Sequence, residues 1–236
     1  MAKPYIEYHI KKFLEELRIY NHYFDVTFLE QERLVKAIQD RHDEIGRSFD
    51  YEHDDDCEVW SRAHEEILGS DEVWISEHEL FIIGGYCMIF FHAFERFLED
   101  VFDLVSKRSL PEMLKKQITS KQRKAINKVL KDDKLDTFAC FCDIFPGVKT
   151  ARGYKKVSEL NIVCNVFKHG SGSALKRLKK IRPDITKHLE DRLSLTLRPF
   201  REHGLKVERK MIYEYFAAIR TFLFEVFDIK ETINND

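Results

Sequence analysis

Apolar residues recur at helical spacing along almost the whole of this 236-residue chain. The pattern is clear from the beginning, where apolar side chains three or four residues apart would share one face of an α-helix. These residues are Ile6, Ile10, Phe13, Leu14, Leu17 and Tyr20. Only 9 Gly and 5 Pro are present, too few for the many turns of a β-sandwich. The sequence therefore predicts an all-α fold.

Local start and stop signals divide the chain into predicted helices. Thr27-Phe-Leu-Glu30 and Ser76-Glu-His-Glu79 are capping-box sequences, which typically begin a helix. Gly46 and Gly69 are typical helix ends. Beyond the first helix, we expect helices at about 27–46, 58–68, 77–107, 111–117, 120–131, 136–144, 154–169, 174–181 and 208–229. Alternating apolar residues within 193–208 predict a short β-hairpin.

Charge is distributed very unevenly along the chain, although the net charge is only −2. Residues 1–104 contain 10 Lys or Arg and 25 Asp or Glu, a net charge of −15. Residues 105–182 contain 20 and 6, a net charge of +14. The basic segment predicts contact with a polyanion, or charge matching with the acidic segment of the same or a second copy. This complementarity favours a homodimer.

Several classes of protein are excluded by the composition. The longest apolar run, Leu80–Phe91, is too short to span a bilayer, and close helix packing explains its Gly84-Gly85 pair. The first residues lack the apolar stretch of a signal peptide. The five cysteines are irregularly spaced, so we expect reduced thiols that pack as small apolar side chains. We therefore expect a cytoplasmic protein that binds no metal ion, no cofactor and no membrane.

The predicted helix at 154–169 carries an unusual polar stripe. Asn161, Asn165 and His169 recur every four residues and share one face, beside Lys168. Asparagine is a poor helix former, so its presence here needs a reason. The stripe ends at a Gly-Ser-Gly turn that begins at Gly170 and would let a ligand approach the backbone. Three interpretations stay open: a catalytic site, a structural or binding polar cluster, or a solvated surface.

The end of this helix resembles a family motif. The block Asn165-Val-Phe-Lys168-His169-Gly170, followed by Arg182-Pro183-Asp184, resembles a branch of the HEPN superfamily (higher eukaryotes and prokaryotes nucleotide-binding). Upstream, Phe91-His-Ala-Phe-Glu95 resembles the acidic position on the long first helix of that fold. The resemblance covers about residues 78–228.

This resemblance implies both a fold and a function. The fold is a helical bundle, usually dimeric, over residues 76–236, with residues 1–75 as an N-terminal helical extension. Many HEPN proteins are metal-independent ribonucleases of toxin–antitoxin, abortive-infection or CRISPR-linked defence, and others are inactive scaffolds. The nuclease signature has an Arg separated from the His by four to six residues, which corresponds to positions 162–164 here, but none of these is an Arg.

Two functions are therefore expected from the sequence. The first is a HEPN-like, metal-independent endoribonuclease that acts as a toxin or antiviral effector. The second is a catalytically inactive HEPN-like module that binds RNA, a nucleotide or a partner protein, such as an antitoxin or another defence-system protein. The missing Arg favours the second function, while the intact Asn-x-x-Lys-His-Gly block favours the first.

Metal-free RNA cleavage needs a base for the 2′-hydroxyl proton, a cation near the scissile phosphate, and polar groups that orient both. His169 fits the first role, Lys168 the second and Asn165 the third. Glu95 would orient the imidazole, or pair with Lys168 as a structural bridge. The residues expected to contact RNA are Asn161, Lys176, Arg177, Lys179 and Lys180, of which the last four would follow the phosphate backbone.

Overall fold

The computed structural model describes residues 3–48, 57–106, 119–131, 136–145, 147–169, 172–186, 205 and 207–229. In these ranges every regular element is helical, which confirms the all-α prediction. The helices are α1 (Lys3–Ser48), α2 (Cys57–Ser106), α3 (Ser120–Val129), α4 (Thr137–Ile144), α5 (Tyr154–His169), α6 (Ser173–Ile181), α7 (Pro183–Thr186) and α8 (Arg209–Val226), with a 3-10 turn at Val148–Thr150. The predicted helix at 111–117 lies outside the described residues, as does the predicted hairpin apart from 205, 207 and 208.

The two long helices α1 and α2 pack antiparallel. Phe13 stacks on Phe97 near one end of the pair, with ring centroids 4.6 Å apart. The predicted helix start at Thr27 is wrong, because this residue lies inside α1. Its hydroxyl donates to the Tyr23 carbonyl (2.7 Å) and also contacts the Tyr86 hydroxyl of α2 (3.0 Å). Contact between the helices along their length outweighs the local capping signal.

A second predicted break is also absent from the structure. α2 continues through Gly69 and Ser76 without interruption, so 58–68 and 77–107 are parts of one helix. The boundary predicted between residues 75 and 76 therefore lies within α2. The buried apolar residues of α1 belong to the same core as those of α2, α5 and α8. The division into an extension and a bundle stays a prediction.

Aromatic side chains fill the centre of the helical bundle. Phe94 of α2 packs on Phe138 of α4 and on Phe222 of α8, with ring centroids 5.8 and 6.0 Å apart. Phe24 of α1 packs edge-on against Tyr86 of α2 (4.9 Å). One aromatic core thus joins helices from both ends of the chain, since such rings bury large areas and prefer tilted contacts.

A glycine allows α2 and α5 to approach each other closely. A Cβ atom on Gly84 would lie 2.6 Å from the ring of Phe167, whereas a Cβ atom on Gly85 would meet nothing within 4 Å. The close helix packing predicted for this pair is therefore confirmed for Gly84 and wrong for Gly85. The close approach fixes the position of the C-terminal half of α5 relative to α2.

A buried carboxylate holds the segment that follows α6 against α5. Glu159 accepts hydrogen bonds from Arg182 (2.5 Å), Lys156 (3.0 Å) and the hydroxyl of Tyr215 (2.9 Å). Arg182 also donates to both carboxylate oxygens of Asp184, and this guanidinium lowers the pKa of Asp184 to about 2. The block Arg182-Pro183-Asp184 therefore has a structural role, because an unpaired buried carboxylate would be strongly destabilising.

The described cysteines are free thiols, and most of them are buried. The thiol of Cys164 donates to the carbonyl of Cys87 across the α2–α5 contact (3.1 Å). Burial raises the pKa of Cys142 to about 12. These thiols pack as small apolar side chains, as expected. Within the described residues, the segment His78–Leu104 is long and apolar enough to cross a membrane by length and composition. An 18-residue window in it has a mean hydropathy of 1.3, but half of that window is buried inside the protein, as in a central bundle helix.

Candidate functional site

The polar stripe of α5 runs from the protein interior to its surface. α5 has the bounds that the sequence predicted, Tyr154–His169. Asn161 is buried, Asn165 is partly buried, and Lys168 and His169 are exposed on the last turn. Gly170, where the predicted turn begins, lies outside the described residues. The stripe is therefore neither wholly a solvated surface nor wholly a buried cluster.

The two asparagines form a chain of hydrogen bonds that ends at α4. The amide nitrogen of Asn165 donates to the side-chain oxygen of Asn161 (2.7 Å) and to its carbonyl (3.0 Å). The amide nitrogen of Asn161 donates to Asp136 (3.1 Å). The other carboxylate oxygen of Asp136 caps α4 by accepting from the Ala139 backbone N–H (2.7 Å). The asparagines thus join α5 to the beginning of α4.

Two carboxylates of α2 bind the first residue of α4. The backbone N–H of Thr137 hydrogen-bonds to Glu95. The hydroxyl of Thr137 donates to Glu99, one helical turn further along α2 (3.1 Å). Backbone N–H groups at the beginning of a helix have no partner within the helix and favour nearby negative charge. The α4 N-terminus therefore brings Glu95 into the region reached by the α5 stripe.

Glu95 carries the most strongly perturbed carboxyl group of this region. Its side chain is only 17 % exposed. Its pKa is raised to about 7, chiefly by burial; Lys168 and the Thr137 N–H lower the pKa, while Asp136 and Glu99 raise it. Burial dominates because water no longer stabilises the charged form. A carboxyl group with this pKa can both accept and give up a proton near neutral pH.

A histidine that the sequence analysis overlooked lies beside Glu95. His92 is one turn earlier on α2, and its Nδ1 is 3.5 Å from a carboxylate oxygen of Glu95. Burial lowers the pKa of His92, and the positive charges of Lys168 and Arg96 lower it further. The imidazole is therefore predominantly neutral at pH 7. Lys168 of α5 thus acts electrostatically on both Glu95 and His92 of α2, and we call these three residues the acid–base cluster.

His169 is placed differently from the other predicted catalytic residues. It is exposed at the last position of α5, and its side chain forms no hydrogen bond or ion pair with the described residues. The positions where the HEPN signature has an Arg are occupied by Ile162, Val163 and Cys164, which are buried in the core. An Arg at any of them would carry its charge into an apolar interior, so the departure from the signature follows from the packing of α5.

The predicted RNA-contacting lysines and arginine lie on α6, which packs against α5. Leu175 and Leu178 form its buried side. On the other side, Lys176, Arg177 and Lys180 are exposed and Lys179 is partly exposed. The basic side of α6 thus lies next to the end of α5. Asn161, by contrast, is buried and makes its hydrogen bonds inside the protein.

The sequence analysis identified Glu95 of α2 but missed His92 of α2 and Asp136 of α4, although two local signals could have identified them. His92 precedes Glu95 by three residues, the spacing that places two side chains on the same helix face. Asp136 directly precedes the helix Thr137–Ile144, where Asp is a preferred N-cap. That His92 lies near Lys168, and Asp136 near Asn161 and Glu95, depends on how α2, α4 and α5 pack, which no local pattern indicates.

In the part of the chain that the structure describes, no three His, Cys, Asp or Glu side chains are grouped so as to hold a metal ion. No family model, curated protein or solved structure matches this chain. The HEPN assignment therefore stays a prediction that rests on the motif residues of α2 and α5.

Proposed function

We propose that this protein is a HEPN-like, metal-independent endoribonuclease that cuts RNA at the acid–base cluster of α2 and α5. The observation that carries the proposal is the largely buried Glu95 with a pKa of about 7, held within the electrostatic reach of Lys168. Such a pair combines a proton acceptor that works near neutral pH with a fixed positive charge. Cleavage of RNA next to a 2′-hydroxyl requires both a proton acceptor and a positive charge near the phosphate.

The reaction is a transesterification at phosphorus. The 2′-oxygen of one ribose attacks the adjacent phosphate while the Glu95 carboxylate accepts its proton. Lys168 stabilises the negative charge that develops on the phosphate oxygens. The protonated imidazolium form of His169, exposed one residue beyond Lys168, gives its proton to the departing 5′-oxygen. The products are a 2′,3′-cyclic phosphate and a 5′-hydroxyl.

This assignment changes the roles expected from the sequence. There His169 was the base and Glu95 a residue that orients it. We assign the base to Glu95 because its burial tunes the carboxyl to neutral pH, while His169 lies outside the cluster. The exposed basic side of α6 supplies the contacts to the RNA backbone. We retain a cytoplasmic toxin or antiviral effector as the cellular role, in line with the free thiols.

The test is cleavage of a fluorophore-labelled single-stranded RNA in EDTA. We expect wild-type cleavage, at least a 100-fold loss in Glu95→Gln, and about a tenfold loss in Lys168→Ala because a point charge supplies only part of the transition-state stabilisation. The matched control is Glu44→Gln, which alters an exposed carboxylate on α1 and should cut at the wild-type rate. DNA of the same sequence should stay intact, because it lacks the 2′-hydroxyl. Cleavage by Glu95→Gln at the wild-type rate would reject Glu95 as the base.

The second candidate is a catalytically inactive module that binds RNA, a nucleotide or a partner protein in the same region. It is favoured by the asparagines, whose amides already hydrogen-bond to Asp136 and to each other. It is also favoured by the apolar residues at the signature Arg positions. Under this proposal the wild-type protein binds the labelled RNA with micromolar or better affinity and leaves it uncut at every pH.

A further inference from the structure

Large apolar side chains on α1 are exposed and stay uncovered by the described residues. The exposed ones are Tyr8, Ile19, Tyr23, Val26, Leu29 and Leu34. Ile19 is 47 % exposed, Val26 43 % and Leu29 47 %. A helix that buries one face in a core normally carries charged and polar residues on the other. Tyr8, Ile19, Val26 and Leu29 lie on the side of α1 away from its buried residues, and they therefore indicate a second packing surface.

The direction of this surface follows from the buried side of α1. Leu17, Phe24 and Phe28 are buried and face the bundle, where α1 packs on α2 and α8. Ile19 and Val26 are seven residues apart, which is about two helical turns, so they share a face. That face lies on the opposite side of α1 from Phe24, and is therefore directed away from the bundle.

Two charged residues of opposite sign on this outer face lie at equal distances along the helix before and after the level of Phe24. Glu15 lies nine residues before Phe24 and Arg33 lies nine residues after it. Nine residues are about two and a half helical turns, so both side chains lie directly opposite Phe24. Both are well exposed, at 63 % for Glu15 and 66 % for Arg33, and each has an ion pair within α1, Glu15 with Arg18 (3.8 Å) and Arg33 with Glu30 (2.6 Å). Ile19 and Leu29 flank the same centre, five residues before and after it.

We propose that a second copy of this chain docks on the outer face of α1, with the two α1 helices antiparallel and a two-fold axis at the level of residue 24. In this arrangement Glu15 faces the partner's Arg33, and the symmetry forms the pair twice. Ile19 lies level with the partner's Leu29 between the two pairs. A parallel arrangement would place Glu15 opposite the partner's Glu15, so the charges select the antiparallel one.

The size of the surface sets the strength of the dimer. From Tyr8 to Arg33 the face is about 38 Å long, and a contact strip about 10 Å wide gives roughly 400 Å² per copy. This is about half of what a standard stable interface buries per partner. We therefore infer a weak, concentration-dependent dimer that is further weakened by salt, because its ion pairs are exposed. The site proposed for RNA cleavage is not part of this contact.

The test is sedimentation equilibrium of the full chain over a concentration series at low salt. The wild type should dimerise, and Glu15→Arg should raise the dissociation constant at least tenfold because it places Arg opposite the partner's Arg33. Arg33→Glu should do the same by placing Glu opposite the partner's Glu15. The double variant Glu15→Arg/Arg33→Glu restores both pairs with reversed signs, and should return to within about threefold of the wild-type constant.

Two further variants separate this contact from a general loss of solubility or folding. Val26→Asp, at the centre of the face, should abolish the dimer. Leu34→Asp is the matched control, since Leu34 is similarly exposed but lies about 100° around the helix from Arg33, and it should dimerise like the wild type. Circular dichroism should show equal helix content in all variants. A wild type that stays monomeric, a dimer unaffected by Val26→Asp, or a double variant no better than the single ones would overturn the proposal.

Discussion

Glu95 shows how burial can turn an ordinary carboxyl group into a proton carrier. Its ordinary pKa of 4.5 rises to about 7 in the folded protein, chiefly because of burial. Between these two values the folded protein holds a proton on Glu95 that the unfolded chain has released. The contribution of this residue to stability therefore falls as the pH rises from 4.5 to 7, and the charged form is unfavourable above that range.

The first expected outcome concerns the free-energy cost of burying the charged Glu95 carboxylate. Glu95→Gln should raise the free energy of unfolding at pH 8 by about 1–2 kcal/mol, a value reduced from the full pKa shift because solvent reaches part of the group. At pH 4.5, where the carboxyl is already neutral, the variant and the wild type should be nearly equal. Urea unfolding at the two pH values measures the difference. A variant that is less stable than the wild type at pH 8 would contradict the burial argument.

The asparagines of α5 are expected to stabilise the fold. Asn161→Ala removes the buried link between α5 and Asp136 and leaves the Asn165 amide without its closest acceptor. The free energy of unfolding should fall by about 1–2 kcal/mol. The comparison variant is His169→Ala, which alters an exposed side chain and should stay within about 0.5 kcal/mol of the wild type. Equal thermal stability of the two variants would show that the Asn161 link contributes nothing.

Much of the candidate site could be predicted one residue at a time, but its geometry could not. Helical periodicity was enough to place Asn161, Asn165 and Lys168 on neighbouring positions of one helix, and the motif pointed to Glu95. The pKa of Glu95 could not be predicted, because burial is a property of the packed bundle. The involvement of His92 was missed for the same reason.

At the scale of helices, the contact between α2 and α5 depends on one glycine. Gly84→Ala would bring a Cβ atom within 2.6 Å of the Phe167 ring. We expect a loss of about 1–3 kcal/mol in the free energy of unfolding, as for other overpacked positions. The neighbouring variant Gly85→Ala has free space and should stabilise α2 by about 0.5–1 kcal/mol through helix propensity. Chemical denaturation of both proteins checks the opposite signs, and a stabilising Gly84→Ala would show that the helices can separate at little cost.

The ends of the helices could be predicted where no tertiary contact competed with the capping residue. The predicted helices at 136–144 and 154–169 agree with the structure to within a residue. The predicted start at Thr27 failed because its hydroxyl hydrogen-bonds within α1 and to Tyr86 instead of capping. Gly69 likewise failed as a stop, since α2 continues through it. Local signals decide helix ends only where tertiary packing does not favour continuation.

For the whole molecule, the uneven charge distribution has a measurable consequence. The segment 105–182 carries a net charge of +14, and its α6 presents Lys176, Arg177 and Lys180 to solvent. If these three side chains contact RNA phosphates, replacing all three with Ala should weaken RNA binding. The slope of log K against log salt should decrease in magnitude by about 2, because each phosphate contact on a single strand contributes about 0.7.

The control for this salt dependence removes the same charge elsewhere. Lys11, Lys12 and Lys36 are exposed on the acidic part of the chain, and their replacement with Ala should leave the slope unchanged. Fluorescence anisotropy of a labelled RNA at several salt concentrations gives both slopes. If the two triple variants bind RNA with the same slope, the RNA does not follow α6.

The central claim, that Glu95 acts as the base of a ribonuclease site, is tested most directly by the pH dependence of RNA cleavage in EDTA. Initial rates for the wild type and Glu95→Gln between pH 5 and pH 9 are sufficient. We expect the wild-type rate to rise between pH 5 and about pH 7, as the Glu95 carboxyl loses its proton. Glu95→Gln should be at least 100-fold slower and should lack this rise. A wild type that cuts no RNA at any pH, or a Glu95→Gln profile that matches the wild type, would contradict the claim.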